Sequence, residues 1–204
     1  KVAHSVIKRV DILGVSKPQI IIEGTNRVRV QLAGVKDPES ARSLLGTTAN
    51  LTFRDVNDNL LADASIIEEG GAALSYDKDG KPVVSLKIKD KQTFASVTDT
   101  VSKMGSGLNT MVIWLDYEDG DSYKDELAKV ATGAEPKYIS AASVNFKIDG
   151  DSVISGNFTE TQARNLAGLI NSGSLPVKMN EISSNVVSAN YGVGCFFDDV
   201  RMKR

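Results

Sequence analysis

Apolar positions at three- and four-residue spacing open the chain. Val2, Val6, Val10 and Leu13, with Ile7 beside them, predict an amphipathic helix that ends at Gly14. After a Ser-Lys-Pro turn the period falls to two. In "RVRVQLAG", Val28, Val30 and Leu32 alternate with Arg27, Arg29 and Gln31, and this run is predicted to pair with the preceding "QIIIEG" as a hairpin. A helix follows, because Asp37 can accept from the first free amides, Pro38 needs none, and Glu39 complements the helix dipole. Ala41, Leu44 and Leu45 form its buried side, and Gly46 is expected to provide a left-handed C-terminal turn. "ANLTFRD" returns to period two with Leu51 and Phe53 inward. Helix, hairpin, helix and strand in that order make a ferredoxin-like half without its opening strand.

The composition shifts after Asp55, where "VNDNLLADASIIEEGG" is rich in turn formers. "LSYDKDGKPVVSLKI" predicts a hairpin turning at Lys78–Lys81, and a helix is expected near Gln92–Met104. "LNTMVIWLDY" predicts a well-buried strand, with Trp114 packed inside. An acidic stretch from Asp116 to Asp121 leads into a short helix, Tyr123–Ala131, and then strands near Tyr138–Ser143 and Asn145–Ile148. Near the end, Thr159 is a natural N-cap, with Glu160 and Gln162 in the first turn. Ala163, Leu166, Ala167 and Ile170 make that helix's apolar face, and Gly173 stops it. "LPVKMNEI" reads as a strand with Val177, Met179 and Glu181 on one face and Lys178, Asn180 and Ile182 on the other.

Composition narrows the function classes. At 204 residues the chain can bury a sizeable core, and the break after Asp55 favours two units. A net charge of −2, with Lys and Arg spread throughout, gives no basic stripe for a phosphate backbone, so nucleic acid is not an expected partner. No apolar run approaches the roughly 20 residues that cross a bilayer. The start at Lys1, without an initiator methionine or signal-peptide pattern, suggests a piece of something longer. One cysteine, Cys195, excludes an internal disulfide and a multi-cysteine zinc site.

Candidate chemistry is thin. His4, the single histidine, lies near the chain start, and pairing it with Cys195 would require a base within about 3 Å of the thiol. "GSG" at Gly105–Gly107 follows a helix instead of opening one, so a loop is expected there and not a nucleotide site. Asp116, Glu118, Asp119 and Asp121 are the best metal candidates, for calcium, although EF-hand spacing is absent and a solvated loop is the simpler account. Asp77 and Asp79 with Gly80 suit a tight turn. No pair of carboxylates stands out as catalytic, and neither a catalytic residue, a cofactor nor a metal is expected.

Two separated stretches carry a family pattern. "IKRVDILGVSKPQIIIEGTNRVRVQLAGVKDPESARSLLGTTANLTFRD" and "ISGNFTETQARNLAGLINSGSLPVKMNEISSNVV" resemble the first large extracytoplasmic domain of SecD, the accessory subunit of bacterial Sec protein export. The likeness runs in order from about Ala3 to Gly192 through "DGKPVVSLKIKDKQTF" and "YISAASVNFKIDG", with a flavour closer to the fused SecDF of Gram-positive bacteria. It implies an α+β fold: a ferredoxin-like base subdomain with an inserted β-rich α+β head subdomain. The expected division is 1–63 for the first part of the base, 64–156 for the head, 157–192 for a returning helix and strand that complete the base, and 193–204 for a non-native or disordered tail. Two departures from the family stand out. The strand that normally precedes the first helix is missing, so the base sheet is expected to lack a member or to borrow Pro176–Ser183. Tyr191–Gly192 is followed by "VGCFFDDVRMKR", too polar to span a membrane.

The resemblance further implies a non-enzymatic domain outside the membrane that handles unfolded preprotein during proton-driven export. Its implied partners are the preprotein, the Sec translocation channel, other Sec accessory subunits and the parent protein in the membrane. Proton carriers in the family are intramembrane acids, and this sequence holds no such segment. Expected hinges between base and head are Ala62, Asp63, Ala64, Ser65 and Ile66 on the way out, and Ile154, Ser155, Gly156 and Asn157 on the way back. Val84, Leu86, Met111, Ile113 and Leu115 are the candidate preprotein contacts, on head strands that equally suit a plain core. A static scaffold docking partners of a membrane complex, and a calcium- or small-molecule-dependent enzyme, stay open as alternatives.

Overall fold

The computed structural model describes residues 2–24, 27–35, 37–175, 179–183, 185–189 and 192–202. Its elements in order are α1 (Val2–Ile12), β1 (Ser16–Glu23), β2 (Arg27–Ala33), α2 (Pro38–Gly46), β3 (Leu51–Arg54) and β4 (Leu60–Asp63). A 3-10 turn (Ala64–Ile66), β5 (Ile67–Tyr76), β6 (Pro82–Ile88), α3 (Lys91–Ser102), β7 (Thr110–Leu115) and α4 (Tyr123–Ala131) come next. The chain closes with β8 (Ser140–Ser143), β9 (Ser152–Ile154), α5 (Glu160–Ser172), β10 (Met179–Glu181), β11 (Asn185–Ala189) and β12 (Gly192–Met202). The fold is α+β. The chain divides into two compact units, one of Lys1–Thr48 with Ser172–Arg204 and the other of Ala49–Asn171.

In the first unit the expected hairpin forms, β1 antiparallel to β2 from Ser16↔Ala33 to Glu23↔Arg27. Val28, Val30 and Leu32 are buried on one face, as period two requires, and pack with Val6 and Val10 of α1 and Ala41 and Leu45 of α2. The cap of α2 is the expected one, the Asp37 carboxylate accepting from the Glu39 N–H at 3.1 Å and the Ser40 N–H at 3.2 Å. Its end differs: Gly46 stays helical, Thr47 closes the helix in extended conformation, and the left-handed residue is Ala49, at φ 56°. The helix therefore stops because the chain departs extended, without a glycine turn.

The sheet runs β1-β2-β12-β10, with β11 paired to β12. Residues 192–202, part of the stretch expected to be a disordered or non-native tail, thus form a strand against β2, from Gly194↔Ala33 to Arg201↔Arg27. Borrowing takes a different form from the one expected: β10 pairs with β12, and Pro176, Val177 and Lys178 of the expected strand lie outside the described residues.

One buried charge organises this unit. Arg9 is fully buried on α1, and its guanidinium donates to the carbonyls of Leu44 (3.3 Å), Thr47, Thr48 (3.0 Å) and Gly173 (3.4 Å) and to Ser172 Oγ (3.3 Å). The helix register foretells its burial, since Arg9 lies three residues after Val6 and four before Leu13. The Leu175 N–H adds a bond to the Thr48 carbonyl at 2.7 Å. Chain leaving at Thr48 and chain returning at Ser172 are thereby tied to each other.

The second unit holds two sheets, β4-β3-β7-β8 and β5-β6-β9. β3, the last strand of the predicted ferredoxin-like half, pairs with β4 and β7 and not with the β1–β2 hairpin. Leu51 and Phe53 are buried as expected, but Thr52 is buried too, because the other face of this sheet is covered as well. The core joins Leu51, Phe53, Val84, Leu86, Phe94, Ile113 and Ile154 with the apolar face of α5, Ala163, Leu166, Ala167 and Ile170. α5 begins in a capping box: the Gln162 N–H donates to Thr159 Oγ1 at 3.2 Å, and the Thr159 N–H to Gln162 Oε1 at 2.8 Å. Gly173 follows it at φ 72°. The strand predicted at Asn145–Ile148 is absent; Asn109 Nδ2 donates to Asn145 Oδ1 (3.0 Å), the Ile148 N–H donates to Thr98 Oγ1 (2.9 Å), and the third strand of the smaller sheet is β9. Side-chain partners hold that segment in place of a ladder.

Replacing Arg9 removes the charge-assisted hydrogen bonds of a fully buried guanidinium to the Leu44, Thr47, Thr48 and Gly173 carbonyls and Ser172 Oγ, each worth on the order of 1–3 kcal/mol. Arg9→Met is expected to lower the unfolding free energy by about 3 kcal/mol. Arg9→Lys should recover only part of the loss, since an ammonium cannot present the guanidinium fork. Urea denaturation of the purified domain measures both.

Candidate functional site

The acidic loop after β7 is organised by its own chain. Asp116 adopts φ 58° and accepts from the Asn50 N–H at 2.7 Å. Asp121 accepts from Lys137 Nζ through both oxygens, at 2.8 and 2.7 Å, and from the Glu118 N–H at 2.8 Å. Glu126, buried on α4, accepts from Lys129 Nζ and from the Lys137 N–H at 2.7 Å. With Glu118 Oε2 3.6 Å from Lys137 Nζ, three carboxylates of the second unit converge on one lysine, a residue with no signal in the sequence because it stands far from the cluster. Among the described residues no group of three or more His, Cys, Asp or Glu could hold a metal ion. Asp77 Oδ1 accepts from the Asp79 N–H at 2.9 Å and the Lys81 N–H at 2.8 Å, the geometry of the turn expected there.

Beside this loop lies an aromatic cluster. Trp114, fully buried, meets Tyr117 edge-on at 5.2 Å and Tyr138 at 5.9 Å, and the Arg54 guanidinium sits 3.5 Å over the Tyr117 ring. This cluster covers the outer face of the β3–β7 pair and explains why Thr52 is buried.

The five predicted contact residues fall inside the second unit. Val84 and Leu86 on β6, and Met111 and Ile113 on β7, belong to the core, and Leu115 is half-buried at its margin. β6 and β7 are central strands, so their inward side chains are covered by neighbours. Exposed apolar groups lie elsewhere: Tyr76 (53% exposed), Phe146 (71%) and Val153 (55%). The nine predicted hinge residues also lie in this unit. Ala62 and Asp63 end β4, Ala64–Ile66 form the 3-10 turn, and the Asp63 carboxylate caps it through the Ser65 N–H at 2.8 Å. Ile154 is buried, the Ser155 carbonyl accepts from Ser140 Oγ at 2.5 Å, Gly156 is pressed close to the Phe158 ring, and Asn157 follows it. The compact units themselves divide at 48/49 and 171/172.

Gly105 and Gly107 form the expected loop after α3 and help to line an open cavity of about 480 Å³ with Ser102, Asn109, Ser143 and Asn145. The side chains of His4 and Cys195 lie outside the described residues.

Comparison with known proteins places this architecture. The family model for the N-terminal part of the P1 domain of protein translocase subunit SecDF matches residues 1–58, and that for the SecDF P1 head subdomain matches residues 56–177. The chain belongs to the SecDF P1 domain family. It is similar to protein translocase subunit SecDF of Bacillus subtilis, 44% identical over 195 residues, covering 95% of this chain and 26% of that protein. It is also similar to SecD of Leptotrichia buccalis, 33% identical over 202 residues, covering 95% of this chain and 43% of that one. Both relatives are thus more than twice its length. Two solved structures share the fold. One, of SecDF in a super-membrane-facing form, has a TM-score of 0.66 at 23% identity over 87% of this chain and 26% of that one. The other, of a membrane component SecDF that enhances protein export, has a TM-score of 0.63 at 22% identity over 92% of this chain and 91% of that one. The head match, at 56–177, falls close to the second compact unit and includes α5.

Asp121 is pushed up by burial, but the hydrogen bonds from Lys137 and the Glu118 N–H and the charge of Lys137 outweigh this and hold its carboxyl below the usual value. A depressed carboxylate stabilises the fold above its unfolded pKa of about 4, and that stability is lost as pH falls through the lower folded value. Thermal melts between neutral and acid pH should therefore show Asp121→Asn with a shallower acid loss than the parent. Equal slopes would remove Asp121 from the acid response.

Proposed function

We propose that this chain is a non-enzymatic, extracytoplasmic domain of a Sec translocon accessory subunit that binds emerging unfolded preprotein and assists proton-motive-force-driven export. The match of the SecDF P1 head subdomain across residues 56–177 carries this reading. Its partners are the preprotein, the translocation channel, other Sec accessory subunits and the membrane-embedded remainder of its own protein. The solved relative described as a membrane component that enhances protein export supports the same assignment.

The geometry suits a client of varied sequence. Backbone pairing and scattered apolar contact do not depend on a particular side-chain order, and exposed apolar residues and open strand edges both occur in the second unit. Motion of one lobe against the other belongs to the proposal, with pivots at 48/49 and 171/172 and with 62–66 and 154–157 as bending points within the second lobe. No helix among the described residues is long and apolar enough to cross a membrane.

An unfolded secretory protein immobilised on a surface should retain the chain, and its folded form should not. Absence of retention by the unfolded form would leave a docking scaffold as the function and overturn client binding.

A further inference from the structure

The edge strand β5 carries an unusual occupant. Asn171, near the end of α5, accepts from the Ala72 N–H through Oδ1 at 3.0 Å and donates from Nδ2 to the Ala72 carbonyl at 2.7 Å. The side-chain amide presents the donor and acceptor of a peptide group to a strand edge, as a neighbouring strand would.

The parity of the β5–β6 ladder shows what continues beyond it. Since Ala72 points its backbone groups away from β6, so do Leu74 and Tyr76, two and four residues on. Two observations agree. Tyr76 stands opposite Pro82, which has no N–H to offer, and the next residue, Asp77, donates to the Lys81 carbonyl at 3.0 Å. On the other side β6 is filled by β9 through Val84↔Ile154. Before Ala72 the edge is closed to a straight neighbour. The register shifts between Ile67 and Ala72, Gly70 takes φ 73°, a Cβ on Gly71 would come within 2.8 Å of the Glu68 carbonyl oxygen, and Glu68 and Glu69 are exposed. A flat, outward-facing edge therefore runs from Ala72 to Tyr76, with its first position already taken by Asn171.

We propose that this edge receives an extended polypeptide by strand addition, and that Asn171 is the stand-in strand that limits its length. The inference rests on the client-binding reading above and names the surface and the chemistry: the occupant is polypeptide backbone, recognised at Leu74 and Tyr76 and, once the Asn171 amide withdraws, at Ala72. Side chains of Leu74 and Tyr76, half-buried and exposed on one face, give the occupant apolar contact without demanding a sequence.

The test uses the full chain and a fluorescently labelled, unstructured peptide rich in valine and threonine, alongside the same peptide N-methylated on alternate residues. Binding is read by anisotropy. The unmodified peptide is expected to bind, and methylation of the donors that face the edge should weaken it at least tenfold. Asn171→Ala, which frees two more backbone groups, should tighten it about tenfold. Should Asn171→Ala fail to fold, Tyr76→Pro serves instead: it deletes an outward N–H without touching the ladder to β6, and about a fivefold loss is expected. Binding indifferent to N-methylation, or an unchanged or weaker affinity in folded Asn171→Ala, or no loss in Tyr76→Pro, overturns the edge proposal while leaving client binding intact. Failure of the parent chain to bind any unfolded polypeptide overturns client binding itself.

Discussion

A buried guanidinium with no exposure to water must find its hydrogen-bond partners inside the protein, and the first unit is built around that demand from Arg9. The partners it finds are the late carbonyls of α2, the two residues after it, and the residues at which the chain returns. A cation at a helix C-terminus is electrostatically welcome, so one side chain both caps α2 and binds the departing and returning segments together. The second unit, Ala49–Asn171, is inserted in sequence between the two segments of the first and forms its own core around Leu51, Phe53, Phe94 and Ile113.

Charges in the second unit are spent on architecture. Asp116 holds a main-chain amide, Asp121 and Glu126 divide Lys137 between its ammonium and its N–H, and Arg54 lies on a tyrosine ring. An acidic cluster that suggests a cation site in sequence becomes a set of loop fastenings once its partners are in place. Along the β5 edge the unit presents both donors and acceptors of its backbone, a pairing that the Asn171 side-chain amide already matches at Ala72.

That division of labour fits a member of the SecDF P1 family. The proposed handling of chains of varied sequence would call for contacts common to all chains, and the peptide group is a feature they share. The same turn of chain serves both units: Asn171 bonds Ala72 in the second, and the next two residues, Ser172 and Gly173, meet Arg9 in the first.

Features decided within a few residues were legible in the sequence. The Asp37–Pro38 start of α2, the Thr159–Gln162 capping box, the Gly173 stop and the turn at Asp77 follow from local donors, acceptors and permitted dihedrals, and the β1–β2 pairing and the burial of Leu51, Phe53 and Trp114 follow from period and apolarity. The buried arginine was not singled out in the sequence, although its place between Val6 and Leu13 on the apolar stripe of α1 was a signal for it. Its acceptors were not legible, since they lie 35 to 164 residues away and are mostly carbonyls, which every residue possesses. For the same reason the sequence could not say that β3 would pair with β7, that 192–202 would join β2, or that Asn171 would close on Ala72. Local patterns choose a strand or a helix; which strand becomes its neighbour depends on how the whole chain satisfies its buried polar groups, and only the tertiary structure decides that.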